Sequence, residues 1–158
     1  MTDPIPLDAT DRQILRHLQA DGRLSNVALA EAIGLSESPT FRRVRQLEAH
    51  GVISGYAALA DQRRLGLSVT AFVQVTMERQ PDSATDAFHQ RVADEEHIIE
   101  CHAMSGSHDY LMKVVARNMD HFSELCMQKI LKYPGVQHVE SSFSLKEIKA
   151  SRILPSGG

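Results

Sequence analysis

The sequence predicts an α+β protein built from an N-terminal winged helix-turn-helix and a C-terminal ferredoxin-like βαββαβ domain. Two observations carry that expectation. Residues 26–45, NVALAEAIGLSESPTFRRVR, read as two short helices joined by a tight turn, the second bearing three arginines. From Val69 onward, apolar spacing switches between period two and period 3.6 in the order strand, helix, strand, strand, helix, strand. The expected boundaries are 1–56 for the helix-turn-helix, 57–66 for a linker and 67–158 for the second domain.

The first helix opens at Leu7-Asp8, where Asp8 can cap, and ends at Asp21-Gly22, with Ile14, Leu15 and Leu18 facing inward. Ser25 caps the second helix, and Leu24 is spaced to staple onto Leu29. Val27, Leu29, Ala30 and Ile33 give this helix its apolar stripe. Gly34 then supplies a stop that tolerates a left-handed backbone, with Leu35 placed to plug the corner. A third helix begins within Ser36 to Pro39, since a first-turn proline sacrifices no intrahelical hydrogen bond.

Its expected apolar face is Phe41, Val44 and Leu47, which leaves Ser38, Arg42 and Gln46 opposite, flanked by Arg43 and Arg45. Such a face suits double-stranded DNA. Arginine pairs with guanine edges, serine and glutamine bond bases or phosphates, and each guanidinium neutralises phosphate. The candidate DNA-binding set is Ser36, Ser38, Thr40, Arg42, Arg43, Arg45 and Gln46, with Arg42 expected near a base and Arg43 and Arg45 at phosphates. An isolated helix with such arginines is most simply a solvated surface; the preceding helix and Gly-Leu-Ser turn favour DNA reading. His50-Gly51 closes the helix, and Val52 to Tyr56 reads as a short strand or wing.

In the second half, Val69, Ala71, Val73, Val75 and Met77 alternate with Thr70, Phe72, Gln74 and Thr76, which predicts a strand. Pro81-Asp82-Ser83 opens a helix to about Ala93. Ile98–Met104 and Tyr110–Val115 then form a hairpin across Ser105 to His108. Met119, Phe122, Leu125, Cys126, Ile130 and Leu131 mark another helix, stopped by Tyr133-Pro134-Gly135, and a last strand runs from about Val136 to Leu145. Two helices cover one face of such a sheet. The other face also carries apolar residues, so a second copy of the chain is its expected cover.

Composition narrows the class. A chain of 158 residues with 42% hydrophobic content can build one domain or two small ones. No apolar run approaches the ~20 residues of a membrane span and the polar start lacks a signal-peptide core, so a cytoplasmic protein without membrane contact is expected. Cys101 and Cys126 are expected as buried thiols. The net charge of −3 argues against nucleic-acid binding over the whole surface but not against a local patch that a dimer would duplicate.

Eight histidines raise the question of a metal, yet Cys101 and His102 are neighbours on a strand and point apart. His89, His97, His108, His121 and His138 show no ligand spacing, and no metal or cofactor is expected. The run Ser105-Gly-Ser-His-Asp109 holds hydroxyl, imidazole and carboxylate, but neighbours in one turn cannot converge as a catalytic relay. No catalytic residue is assigned. Gly106 permits a sharp bend or close ligand approach, exposed amides there can meet a carboxylate, and Asp109 can accept from an ammonium group. An ordinary β-turn explains the same residues.

The segments LDATDRQILRHLQADGRLSNVALAEAIGLSESPTFRRVRQLEAHGVISGY, HIIECHAMSGSHDYLMKV and KYPGVQHVESSFSLKEIK together resemble the Lrp/AsnC family, the feast/famine transcriptional regulators. The likeness spans nearly the whole chain. It implies a DNA-binding regulator whose sheet domains pair into dimers that commonly assemble to octamers, and a free amino acid as effector. It also implies an effector loop at Met104, Ser105, Gly106, Ser107, His108, Asp109 and Tyr110, the Gly-x-x-Asp spacing matching at Gly106 and Asp109. In relatives the effector sits between subunits, which makes Ser141, Ser142 and Phe143 candidates from a neighbouring copy. Siroheme decarboxylases share the two-domain plan and form the enzymatic alternative; an architectural DNA-binding protein without effector is the other. The arginine-rich helix and the loop favour the regulator.

Overall fold

The computed structural model describes residues 6–78 and 82–156, in two compact units. The first comprises the chain up to Leu59 together with its last residues from Lys149; the second is Ala60–Ile148. The tail thus groups with the N-terminal unit, whereas the sequence reading places all of 67–158 in the second domain.

Three helices make the head: α1 (Ala9–Ala20), α2 (Asn26–Ile33) and α3 (Glu37–Ala49). Asp8 and Asp11 form a reciprocal capping box at the start of α1, each carboxylate accepting the other's backbone N–H. Ser25 Oγ accepts from Ala28 N–H at 3.2 Å at the start of α2. Gly34 ends that helix at φ +69°, and Leu35 N–H returns to the Ala30 carbonyl at 3.0 Å. Ile14, Leu15, Leu29, Val44 and Leu47 form the head's core.

Three details depart from the sequence reading. The buried stripe of α3 is Thr40, Val44 and Leu47, while Phe41 stays 49% exposed. Thr40 tolerates burial because its hydroxyl donates to the Ser36 carbonyl at 2.9 Å, so no polar group is orphaned. Leu35 remains 39% exposed instead of sealing the corner. No strand lies between α3 and the sheet domain among the described residues: Val52 and Ile53 turn back onto Leu47, and the chain then runs without ladder partners. A strand needs a neighbour, and the isolated chain offers none there.

The expected connector is ordered. Asp61 Oδ1 accepts from Arg63 and Arg64 N–H, and Gln62 Nε2 donates to the Leu67 carbonyl and to Thr70 Oγ1, both at 2.9 Å. The second unit follows as β1 (Val69–Met77), α4 (Asp82–Asp94), β2 (Ile98–Ala103), β3 (Tyr110–Ala116), α5 (Met119–Glu124) and β4 (Val136–Phe143). The expected opening of α4 at Pro81 lies outside the described residues. Past Glu124 the α5 rod widens into a π-helix, Leu125–Lys129, and closes with a 3₁₀ turn, Ile130–Lys132.

The sheet order is β2-β3-β1-β4 with every neighbour antiparallel, the ferredoxin-like topology. Ala71, Val73 and Val75 of β1 and Met112, Val114 and Ala116 of β3 pack with Phe88, Phe122, Leu125 and Ile130 from the helical layer. Strand alternation sends Phe72, paired with Lys113 and Ser142, to the opposite face, where it is 40% exposed.

Candidate functional sites

On α3, Ser38, Arg42, Arg45 and Gln46 follow at i, i+4, i+7 and i+8 and are all exposed, which makes one polar ridge. Ser36 precedes the ridge as N-cap, exposed and with a side chain that caps nothing. Thr40, a candidate from the sequence, belongs to the core and is withdrawn from this face. Arg45 stands over the Phe41 ring, 5.5 Å from its centroid, and lies 3.7 Å from Glu48. The half-exposed Phe41 and the acidic Glu37 at the first turn are the features of this face that hydrophobic periodicity missed.

Arg43 points elsewhere. Its Nη1 donates to Asp8 Oδ2 at 2.7 Å and to Asp11 Oδ1 at 2.8 Å, the two carboxylate oxygens that the capping box leaves over. All four carboxylate oxygens of the box are therefore engaged. Asp8 is held below the usual carboxylate range by the Asp11 N–H and then by Arg43, and the Arg43 guanidinium is pushed up by the same carboxylates. This clamp ties α3 to the start of α1 and takes Arg43 out of the exposed ridge of Ser38, Arg42, Arg45 and Gln46.

In the second unit the β2–β3 connection is closed by Met104 N–H donating to the Asp109 carbonyl at 2.8 Å. Asp109 N–H donates to the Val75 carbonyl at 2.9 Å, and Met77 N–H donates to Asp109 Oδ2 at 2.7 Å. Asp109 thus has a structural task at the end of β1, in addition to any ligand. Gly106 adopts φ +140°, and a Cβ built there would meet nothing within 4 Å, so backbone conformation and not crowding requires glycine.

His108 Nδ1 sits 3.4 Å from Thr76 Oγ1, and the Tyr110 hydroxyl is 2.9 Å from His89 Nε2. Burial, Cys101 and Asp109 raise the Tyr110 phenol above its ordinary value. Met104, Ser105, Gly106 and Ser107 are exposed. The candidates on β4 are elsewhere: Ser141, Ser142 and Phe143 pair with Val73, Phe72 and Ala71, while the loop meets β1 at Val75 and Met77. They also divide between faces. The Phe143 ring packs 4.9 Å from Phe122, and Ser141, two residues before it, shares that face by strand alternation, whereas Ser142 turns to the other side. Among the described residues no three His, Cys, Asp or Glu side chains gather as a metal site, and no helix is long and apolar enough to cross a membrane.

A helix-turn-helix head with an exposed Arg-Gln ridge, followed by a ferredoxin-like domain, defines a transcriptional regulator with a ligand-binding module. Residues 7–54 match a winged helix-turn-helix DNA-binding family, and residues 70–154 match the Lrp/AsnC ligand binding domain. The chain is 40% identical over 148 residues to the leucine-responsive regulatory protein of Escherichia coli, covering 94% of this chain and 90% of that protein. A transcriptional regulator from Neisseria meningitidis, solved in complex with L-methionine, superposes with TM-score 0.92 at 40% identity, covering 95% of this chain and 97% of that one. An AsnC family regulator from Agrobacterium tumefaciens gives TM-score 0.89 at 32% identity, covering 94% and 97%. The chain belongs to the Lrp/AsnC family. It is a DNA-binding transcriptional regulator and not an enzyme, and neither the decarboxylase nor the architectural alternative gains support.

Proposed function

We propose that this regulator responds to a free amino acid received at the 104–109 loop, and that Ser36, Ser38, Arg42, Arg45 and Gln46 make its DNA contacts. The observation that carries the effector reading is the pairing of Gly106, at φ +140°, with Asp109, whose carboxylate is anchored by one oxygen to Met77 N–H. The open backbone can meet an α-carboxylate while the other Asp109 oxygen accepts from an α-ammonium group. The L-methionine bound to the Neisseria relative supports the ligand class.

A second copy completes the assembly in this reading, covering the sheet face that exposes Phe72 and contributing Ser141, Ser142 and Phe143 to a neighbouring loop; dimers then assemble to octamers in the cytoplasm. Effector binding acts by favouring one arrangement of DNA-binding heads, through different affinity for the two states. A thermal-shift screen of the common amino acids on the full chain tests this, because a specific ligand at 100 times its Kd stabilises the native state by about 2.7 kcal/mol. Raised melting temperature with one amino acid or a small group is expected. Indifference to all of them overturns the effector assignment.

A further inference from the structure

The last residues of the chain return to the unit that holds its first ones. From Lys149 the tail runs without regular secondary structure and clusters with the head. Two side chains of α1 hold it. The Gln19 amide grips one residue in both directions, accepting from Leu154 N–H at 2.7 Å and donating from Nε2 to the Leu154 carbonyl at 3.2 Å. Two turns earlier on the same face, Arg12 Nη1 reaches the Ser156 carbonyl at 3.4 Å.

An amide that bonds both polar groups of one residue reproduces the pairing between adjacent strands. It reads the backbone and not the side chain, so it requires an extended residue with both groups turned one way. Leu154 is biased to that conformation because it precedes Pro155, whose ring disfavours a helical backbone at the residue before it. Upstream, Ile153 N–H donates to Ser151 Oγ at 3.2 Å, which fixes the approach.

We propose that the Arg12–Gln19 face of α1 is a docking surface for the chain's own C-terminal tail, with Leu154-Pro155 as the unit it recognises. The head is then tied to the ligand-binding domain at two points of the chain, the linker near Ala60 and the return near Lys149. A single flexible connection leaves a head free to reorient; a second removes much of that freedom, so that the tail helps to carry a change in one unit to the other. Only this last consequence rests on the proposed sensing role, and the docking itself is measurable without any effector.

Hydrogen exchange on the full-length protein provides the test, reading the tail peptide that contains the Leu154 amide. That amide is expected to exchange ~10-fold more slowly than in a free peptide of the same sequence, the protection one hydrogen bond of ordinary net strength confers. Gln19→Ala should return it to the free rate, whereas Gln13→Ala, on the same helix but outside the contact, should not. Pro155→Gly alters only the tail and cannot unfold the head; it too should reduce protection. Trypsin cleavage after Arg152 should accelerate in Gln19→Ala and Pro155→Gly at unchanged melting temperature. Exchange at the free-peptide rate in the wild type, or protection that survives Gln19→Ala, overturns the proposal.

Discussion

Arg43 shows how a charge on a recognition helix is claimed by its own fold. A helical wheel puts it one step from Arg42 and makes both look like DNA contacts; the leftover oxygens of the Asp8–Asp11 capping box, thirty-odd residues away, decide otherwise. Spacing along one helix cannot register a partner on another. Arg42→Ala is expected to cost about 1 to 3 kcal/mol in operator affinity if it reads a base, with an unchanged head melting temperature. Arg43→Ala should instead lower the melting temperature, and combining it with Asp11→Ala should add little, because both changes open the same clamp. Calorimetric melting beside operator titration at fixed salt separates the two; a stable head with weakened DNA binding in Arg43→Ala contradicts the clamp. Asp109 carries a similar double load. Asp109→Asn keeps an oxygen for Met77 N–H but loses the charge, so effector affinity should fall by about 10-fold or more while the loop stays closed. Equal effector affinity in wild type and Asp109→Asn by titration calorimetry sinks the ammonium-acceptor role.

At the scale of elements, the strands and helices of both units were legible because their apolar spacing is regular, and most boundaries fall within a residue or two of expectation. Places where the reading missed share a cause. Thr40 satisfies its hydroxyl on the turn before it, so a polar residue displaces Phe41 from the core. The π-helix at Leu125–Lys129 hides in an ordinary helical pattern, since one wide turn hardly changes which residues are apolar. The ordering of residues 61–67 comes from Asp61 and Gln62 bonding nearby backbone, which leaves no periodic trace. The β2–β3 loop offers the sharpest test of an element. Gly106→Val forces a β-branched residue to φ +140° and should cost on the order of 1 to 3 kcal/mol. Because the loop belongs to the second unit, operator binding without effector should persist while the effector response disappears. A Gly106→Val protein that melts and responds like wild type removes the conformational argument for this glycine.

For the whole molecule, the exposed sheet face and the acid response each give a measurable consequence. Phe72 stands on a face that also carries Leu111 and the Lys113–Glu100 pair, and Phe72→Glu should place charge where a second copy packs. Light scattering at micromolar concentration should show the wild type as at least a dimer and Phe72→Glu shifted toward monomer; a monomeric wild type contradicts that packing. The pH dependence follows from groups in both units. His121 is held below its ordinary value by burial, then by Arg117 and His97; its Nδ1 accepts the Arg117 N–H at 3.2 Å, and its ring meets His97 edge-on. A base depressed on folding is neutral in the native state and binds its proton more readily when unfolded. Stability is therefore complete above about pH 6.5, the ordinary imidazole value, and falls as the pH drops from there through the folded pKa. Glu95 is raised by burial, but hydrogen bonds from Lys129 at 2.6 Å and His97 at 3.0 Å outweigh it and leave its pKa lowered. Its contribution, like that of the lowered Asp8, is present above about pH 4 and lost as the folded carboxylates protonate. Calorimetry from pH 8 to about 2 should accordingly show a flat melting temperature down to about 6.5, then a fall in two stages, the second below about pH 4. His121→Asn, which keeps an acceptor near Nδ1, should flatten the first stage, and Glu95→Gln the second. A melting temperature that rises between pH 6.5 and 5, or a first stage that survives in His121→Asn, would show that this histidine does not control the response.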